Sequence, residues 1–406
     1  MTTERVEEIK SILNETGGDA WLLYNFRETN TIASRIAGIP PGTHQTRRWA
    51  LLIPAVGEPI GLVHRIEPHL GEYMPGTVID YSSHEEFHQG LKEICSGHKT
   101  VAMEYSPHNA IPVVSRVDAG TIETIRALGV DVVSSGHLIS LLEGRLTDVQ
   151  IELAIRAGEI CRTIMIDAFT FIAESVRTGR SITEHDVVRH ISAALAEHGL
   201  VTDHEPNCSV DANSANPHYQ PIESTSRPIT NDSFVLIDLW GKHDRHDGVY
   251  GDITWVGYVG TTVPDRYAKV FDIVREARDA AGEAVTKAFQ SGETIRGSDL
   301  DRVARQIITD AGYGNAFIHR LGHSITTDLH GAGTNLDGFE TFDDRPITDR
   351  SSFSIEPGIY LPGDFGVRLE LDVVIDRNNV VVIPSEPLQH EIIPLLDPLW
   401  VTRINA

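Results

Sequence analysis

The sequence predicts two domains, an α/β domain at residues 1–144 and a larger α+β domain at residues 145–406. Three observations support this prediction. Short β-like runs alternate with helical runs over roughly the first 145 residues. A long helical segment then follows Thr147, a residue type suited to an N-cap. From there the order helix, helix, strand pair occurs twice, which hints at an ancient duplication.

The first domain is predicted from its alternating runs. The strand-like runs are AWLLYN, WALLIPA, KTVAMEY and VDVVSS, and the helical runs are HEEFHQGLKEI and PVVSRVDAGTIETIRALG. Such alternation predicts a mixed sheet with helices. No glycine-rich phosphate loop leads into a helix, so a nucleotide-binding role has little support.

The second domain begins with a long helix in LTDVQIELAIRAGEICRTIMIDAFTFIAESV. A second helix, TEHDVVRHISAALAEHGL, ends at Gly199. The runs DSFVLIDLWGK and VYGDITWVGYVG then predict a strand pair joined by a polar loop at residues 242–248. This loop is expected to extend into solvent. Two further helices and the run SSFSIEPGIYLPGDFGVRLELDVVID complete the repeated order.

Composition limits the classes of function. Asp and Glu outnumber Lys and Arg by 58 to 34, and the formal net charge of −24 argues against nucleic-acid binding. No run approaches a membrane span, and no signal peptide is evident, so a cytoplasmic enzyme is expected. Three widely spaced cysteines fit reduced, buried thiols better than disulfides or a thiolate metal site.

Two aspartates interrupt the first strand pair. Asp238 lies in the run VLIDLW and Asp252 in the run GDITW. A carboxylate among apolar β residues is costly unless something neutralises its charge. If the two residues are opposed across the hairpin, they lie about 5 Å apart and repel each other unless a cation separates them.

Glu356 and Glu370 form a second acidic pair, in the runs FSIEPG and VRLELDVV. Their separation of 14 residues equals that of Asp238 and Asp252, which suggests that two corresponding hairpins build one site. The stretch HRLGHSITTDLHGAG contributes three histidines. Four carboxylates and one imidazole suit two divalent cations such as Mn²⁺ or Co²⁺, and two such ions can activate water for hydrolysis.

These segments resemble the pita-bread metallopeptidase family of methionine aminopeptidase, prolidase, aminopeptidase P and creatinase. The resemblance spans roughly residues 147–376 and rests on the runs IDLWGK, YGDITW, NPHYQP, HRLGHSITTDLH, SIEPGIYLP and GVRLELDVV. It implies a pita-bread catalytic domain built from two helix–helix–hairpin halves with pseudo-two-fold symmetry. It also implies a creatinase/prolidase-like N-terminal domain.

The resemblance implies a role for each matching residue. The residues that match the family's ligands to two metal ions are Asp238, Asp252, His323, Glu356 and Glu370. Mn²⁺ is the expected ion, with Co²⁺, Zn²⁺ and Fe²⁺ as alternatives. Asp252 and Glu370 match the acids that bridge both ions, and Glu356 matches the proton shuttle.

Four further residues match groups near the substrate. His218 and His330 match histidines of the substrate pocket, and His330 is expected to stabilise the developing oxyanion. His319 and Arg368 match residues of proline-specific members. For His319, a packing role beside the site is an open alternative.

The resemblance therefore implies hydrolysis of an Xaa-Pro amide bond by a metal-bridging hydroxide, in an Xaa-Pro dipeptidase or aminopeptidase. One alternative is a metal-dependent hydrolase or lyase acting on a small non-peptide substrate, and another is a non-catalytic binding protein. Departures from the family leave the substrate open, including Gly331 and Leu371 at positions where relatives often carry acids.

The family also suggests a partner. Relatives usually form dimers, so a homodimer is expected here. The stretch GTHQTRRWALL offers His44, Arg47 and Arg48 as residues that approach the active site of a partner subunit.

Overall fold

The computed structural model describes residues 1–404, which form two compact units, Met1–Leu142 and a second that begins at Glu143. None of the helices in this range combines the length and the apolar character that a bilayer crossing requires. All three cysteines, Cys95, Cys161 and Cys208, are buried and free, as predicted.

The first unit contains a six-stranded mixed sheet in the order β4-β3-β2-β1-β5-β6. Its strands are β1 Ala20–Asn25, β2 Trp49–Pro54, β3 Ile60–His64, β4 Thr77–Tyr81, β5 Thr100–Met103 and β6 Asp131–Ser134. Its helices are α1 Thr3–Thr16, α2 Thr31–Ala37, α3 His84–Ile94, α4 Ala119–Ala127 and α5 Gly136–Glu143, whose last residue is the first residue of the second unit. Every residue of the central strands β1 and β2 is buried, so these strands form the middle of the core.

One predicted helix in this unit is wrong in its first half. The segment before α4 forms only a 3₁₀ turn at Pro112–Val114. The helix begins at Ala119 because Asp118, in an extended conformation, accepts a hydrogen bond from the Thr121 backbone N–H and caps the helix there.

The two arginines of the RRW stretch line a cavity of about 850 Å³ within the first unit. The Arg48 guanidinium lies 3.9 Å from the centroid of the Phe87 ring in a cation–π contact. The approach of Arg47 and Arg48 to a partner subunit stays a prediction.

The second unit contains sheets of five, four and two strands, with long helices packed against them. Its helices are α6 Asp148–Arg177, α7 Glu184–Glu197, α8 Asp265–Ser291, α9 Gly297–Asp310 and α10 Trp400–Arg403. The five-stranded sheet contains β7 Leu200–Val201, β8 Asn207–Val210, β9 Phe234–His243, β10 Gly251–Tyr258 and β17 Ile393–Pro394. The other strands are β11 Ser324–Ile325, β12 Ser352–Ile355, β13 Gly358–Leu361, β14 Phe365–Arg368, β15 Leu371–Ile375 and β16 Val381–Val382.

Capping residues fix the ends of the first two helices of this unit. Thr147 and Gln150 form a reciprocal capping box at the start of α6, and the predicted N-cap is thereby confirmed. Thr183 and Asp186 form the same arrangement at the start of α7. The chain leaves α7 through Gly199, whose φ of +72° favours glycine.

The alternation of side chains along β9 sorts its residues between two cores. Val235 and Ile237 pack in the core that contains α6 and α7, whereas Phe234 and Leu236 pack in the core that contains α8 and α9. By the same alternation, Asp238 lies on the side of β9 that carries Phe234 and Leu236. On β10 the even-numbered residues Val256 and Tyr258 pack in this same core, so Asp252 and Thr254 share its face. The sheet therefore presents both aspartates to one side.

The predicted pairing of the two aspartates is wrong in register. Asp238 lies opposite Thr254, and Asp252 lies opposite Trp240, because the hairpin closes with Gly241 paired to Gly251. The aspartates are therefore diagonal neighbours on one face rather than opposed residues.

The predicted second acidic hairpin is also wrong. Glu356 follows β12 and Glu370 precedes β15, and these two strands pair directly with each other. Between them, β13 and β14 form a separate two-stranded hairpin. Glu370 also donates its backbone N–H to the Thr254 carbonyl at 3.0 Å, which joins the second acidic pair to the strand of Asp252.

Candidate metal centre

A cavity of about 1230 Å³ opens in the second unit on the face of β9 and β10 that carries the aspartates. All predicted site residues line it: His218, Asp238, Asp252, His319, His323, His330, Glu356, Arg368 and Glu370. Residues more than 150 positions apart in the chain thus meet in one place.

The two aspartates each have one carboxylate oxygen without a hydrogen-bond partner among the described residues. These oxygens are Oδ1 of Asp238 and Oδ1 of Asp252. Asp252 is almost fully buried, and burial followed by the charge of Asp238 raises its pKa well above the usual value. Leaving buried carboxylate oxygens unpaired is costly, so both atoms are suited to bind a cation.

His323 presents one ring nitrogen to these acids. Its Nδ1 lies 3.3 Å from the Ser324 carbonyl oxygen, which favours a proton on Nδ1. Its Nε2 lies 3.8 Å from Asp252 Oδ2 and 3.6 Å from Glu356 Oε1. Burial lowers the pKa of His323 well below its usual value, so the ring is neutral and its Nε2 lone pair is available.

Glu370 and Glu356 complete the acidic cluster. Burial raises the pKa of Glu356 to about 7, and burial followed by the charge of Asp252 raises the pKa of Glu370 well above its usual value. One potential ligand atom from each of Asp252, His323 and Glu370 lies within 4.8 Å of the others. This set of carboxylates and one imidazole fits a divalent cation that prefers oxygen and nitrogen ligands.

Arg368 connects the cluster to the strand beside it. Its Nη2 donates to Asp238 Oδ2, and its Nε donates to Thr254 Oγ1 at 3.3 Å. The Thr254 hydroxyl in turn donates to Glu370 Oε2 at 2.7 Å. Arg368 therefore neutralises part of the acidic charge and fixes two carboxylates, one of them through Thr254.

His319 belongs to the same network through a tyrosine. Its Nδ1 lies 2.7 Å from the Arg320 carbonyl, and its Nε2 lies 2.8 Å from the Tyr360 hydroxyl. That hydroxyl also accepts a hydrogen bond from Arg368 Nη1 at 3.1 Å. Burial and the charge of Arg368 lower the pKa of His319 to about 3, which keeps the ring neutral.

His330 and His218 lie at the exposed side of the cavity. The ring of His330 packs edge-on against that of His323, with centroids 4.3 Å apart. His218 is exposed, and its backbone N–H donates to Asn216 Oδ1 at 3.2 Å. Both residues line the cavity, so both imidazole rings can contact a ligand there.

Three neighbours of the cluster were not predicted as functional from the sequence. Thr254 and Tyr360 lie within the runs YGDITW and SIEPGIYLP, so proximity to a predicted ligand was the available signal. Asp372 accepts the Asp252 backbone N–H at 2.7 Å, and burial raises the pKa of this carboxyl.

The loop at residues 242–248 touches the site only at its first residue. Lys242 lines the cavity, and its Nζ donates to the Thr327 carbonyl at 2.5 Å. Further along, Arg245 pairs with Asp247, and His246 is almost fully exposed. The body of the loop does not line the cavity.

The chain is similar in sequence to known metallopeptidases. The family model of metallopeptidase family M24 matches residues 152–377, which is more than half of the chain. A Xaa-Pro dipeptidase of Lactobacillus helveticus is 34% identical over 232 residues, which cover 57% of this chain and 58% of that protein. This match thus covers less than two thirds of the relative's length. An uncharacterized peptidase of Staphylococcus saprophyticus is 30% identical over 352 residues, covering 82% of this chain and 87% of the relative.

A solved structure shows a similar fold. The dipeptidase PepE of Mycobacterium ulcerans superposes with a TM-score of 0.63 and 21% identity, covering 96% of each chain. At this identity the likeness concerns the fold.

Proposed function

This chain belongs to metallopeptidase family M24, and on that premise we propose that it is a metal-dependent hydrolase of Xaa-Pro amide bonds. One observation carries the proposal. The potential ligand atoms of Asp252, His323 and Glu370 converge within 4.8 Å of one another in a large cavity. The similarity to a Xaa-Pro dipeptidase supports the choice of substrate class.

The proposed ligands to two divalent ions are Asp238, Asp252, His323, Glu356 and Glu370. The unpaired oxygens of Asp238 and Asp252 and the free lone pair of His323 support this assignment. Bound divalent ions would supply Lewis acidity towards a carbonyl group and a water molecule. They would also offset the burial of charge and the mutual repulsion that together raise the pKa values of Asp252 and Glu370.

The side chains around the cluster divide the remaining work. Glu356 is a mostly buried residue of the cavity lining. It is proposed to take the proton of the attacking water and return it to the leaving amine. His330 is proposed to donate a hydrogen bond to the carbonyl oxygen as negative charge develops, with His218 beside it. Because His319 is neutral and bonded to Tyr360, we assign it to holding Arg368 in place.

The lining of the cavity fits a short peptide. Trp240, Ile318 and Leu329 offer apolar contacts for a pyrrolidine ring, and Arg320 adds a positive charge to the lining. Mn²⁺ as the native ion, a homodimeric assembly and a cytoplasmic location complete the proposal.

Turnover by the metal-stripped protein tests the function. It is assayed with and without Mn²⁺ or Co²⁺ on Xaa-Pro dipeptides, Xaa-Pro-Xaa tripeptides and matched proline-free peptides. Metal-dependent cleavage restricted to the proline substrates is expected, and the ratio of dipeptide to tripeptide cleavage defines the subtype. Metal binding without cleavage of any peptide would contradict the proposal and favour a small non-peptide substrate.

A further inference from the structure

A buried carboxylate that does not line the cavity accepts hydrogen bonds from four residues of one segment in the second unit. Glu184 is the first residue of α7 and has no exposed surface. Its Oε1 accepts from the Val210 backbone N at 2.7 Å and from Asn213 Nδ2 at 2.9 Å. Its Oε2 accepts from the Tyr219 hydroxyl at 2.7 Å and from the Arg227 backbone N at 2.8 Å.

These donors enclose the segment at residues 210–227. Val210 ends β8, and Arg227 lies near the far end of the same segment, so one carboxylate binds both of its ends. Asn213 and Tyr219 are held at two points between. Hydrogen bonds to a buried carboxylate are stronger than those between neutral groups, so this cluster limits the movement of the segment.

Tyr219 is fixed at a second atom. Its carbonyl oxygen accepts a hydrogen bond from Asn207 Nδ2. Asn207 lies on β8 directly opposite Asp238 of β9. Tyr219 is therefore tied both to Glu184 and to the strand that carries a proposed metal ligand.

The residue before Tyr219 is His218, which lines the cavity. Its imidazole has no hydrogen-bond partner in the described part of the chain, and its backbone N–H bonds only to Asn216 nearby. The location of the imidazole thus depends on the backbone, and Tyr219 anchors that backbone.

From these contacts we infer that Glu184 and Tyr219 are positioning residues that hold His218 at the substrate side of the cavity. The inference rests on the proposed function, because it assigns His218 a contact with the substrate. Tyr219 lines the cavity and Glu184 does not, but the inferred role of both residues is to hold the backbone beside His218, and that role requires no contact with the substrate. Their effect on turnover passes through His218.

A double-mutant cycle separates positioning from a general loss of stability. Tyr219→Phe removes one hydroxyl and keeps the ring, so it is the main variant. Glu184→Gln disturbs all the hydrogen bonds to Glu184 and is the harsher second variant. Tyr258→Phe is the matched control. The Tyr258 hydroxyl donates a hydrogen bond of 2.9 Å to the Asp232 carboxylate, and neither residue lines the cavity. We expect Tyr219→Phe to lower kcat/KM about tenfold in the wild-type background and less than twofold in a His218→Asn background.

The control is expected to stay within about twofold of wild type in kcat/KM. An equal loss from Tyr219→Phe in both backgrounds would show that Tyr219 acts independently of His218 and would overturn the inference. No loss in either background would overturn it as well.

A second readout does not need turnover. In protein with ¹³C-labelled histidine, the imidazole signal of His218, assigned with His218→Asn, is expected to shift or broaden in Tyr219→Phe and Glu184→Gln but not in Tyr258→Phe. An unchanged signal in both variants would overturn the inference. If the wild-type protein cleaves no Xaa-Pro substrate, the proposed function fails, and this signal still decides whether the two residues position His218.

Discussion

Glu104 in the first unit and Asp252 in the second are both buried carboxyl groups beside apolar strand residues, but their surroundings differ. Glu104 accepts hydrogen bonds from Trp21 Nε1 at 2.7 Å, Asn30 Nδ2 at 2.7 Å and Ser135 Oγ at 3.1 Å. Asp252 has an unpaired oxygen and lies among other acids. Burial raises the pKa of both groups.

The difference separates a structural acid from a candidate ligand. Both carboxylate oxygens of Glu104 accept hydrogen bonds from neutral donors, so its burial needs no further group. The carboxylates around Asp252 lack enough donors within the described residues, and Arg368 alone supplies a guanidinium to them. A buried acid that the protein leaves incompletely paired is therefore the more informative sign of a functional site.

The largest effect is expected for Asp252→Asn. This change removes a proposed ligand charge while keeping the size of the side chain, so activity should fall by about a thousandfold or more. The assay is kcat/KM on a Xaa-Pro dipeptide with added Mn²⁺, alongside metal content. Glu104→Gln serves as the control and should keep activity. Retention of more than a tenth of wild-type activity by Asp252→Asn would exclude it as an essential ligand.

The same cluster predicts how pH affects the metal-free protein. Burial raises the pKa of Glu356 from a usual value of 4.5 to about 7. Glu356 therefore holds its proton more tightly in the native state than in the unfolded state, so its contribution to stability is fully present below pH 4.5 and is lost as pH rises through 7. Urea unfolding at pH 5 and pH 8 should differ by on the order of 2 kcal/mol.

Two comparisons identify the source of that pH dependence. Glu356→Gln should reduce the difference between pH 5 and pH 8 in the metal-free protein. Saturating Mn²⁺ should also reduce it, because bound cations favour the ionised carboxylates. A metal-free protein that becomes more stable as pH rises over this range would contradict the assignment.

Glu104→Gln tests the other side of the comparison. The amide places an –NH₂ group where a carboxylate oxygen accepts hydrogen bonds, so unfolding free energy should fall by roughly 1–3 kcal/mol. The loss should be the same with and without Mn²⁺, as measured by urea unfolding. A loss of stability that appears only in one metal state would mean that Glu104 is coupled to the metal centre.

A smaller effect is expected for Tyr360→Phe. The hydroxyl links His319 and Arg368, so its removal should lower kcat/KM about tenfold while metal content stays unchanged. Measuring both quantities on one preparation separates support of Arg368 from a change in metal binding. Unchanged turnover would show that the hydrogen bonds of Tyr360 do not contribute to the site.

The sequence shows the apolar context of Glu104 and Asp252 but not the hydrogen-bond donors that distinguish them. Both acids follow or interrupt an apolar run, as in VAMEY and GDITW. The donors to Glu104 come from Trp21 and Asn30, 83 and 74 positions away, so no local pattern shows that it is satisfied. The resemblance to a metallopeptidase family selected Asp252 where apolar context alone could not.

Some geometry could not be predicted because it depends on strand register. Asp238 and Asp252 share one face of the hairpin because side chains alternate along each strand, but the closure of the hairpin sets which residues are opposed. The β13–β14 hairpin likewise separates Glu356 from Glu370 and lets β12 pair with β15. Long-range contacts such as that between Thr254 and Glu370 follow from this register.

The number of metal ions bound per chain tests the proposed metal centre most directly. Metal-stripped protein is equilibrated with Mn²⁺, freed of unbound ions and analysed by inductively coupled plasma mass spectrometry, with Asp252→Asn and Glu104→Gln treated in parallel. Two ions per chain are expected for wild type and Glu104→Gln, and fewer for Asp252→Asn. Fewer than two ions in the wild type, or the same content in all three proteins, would contradict it.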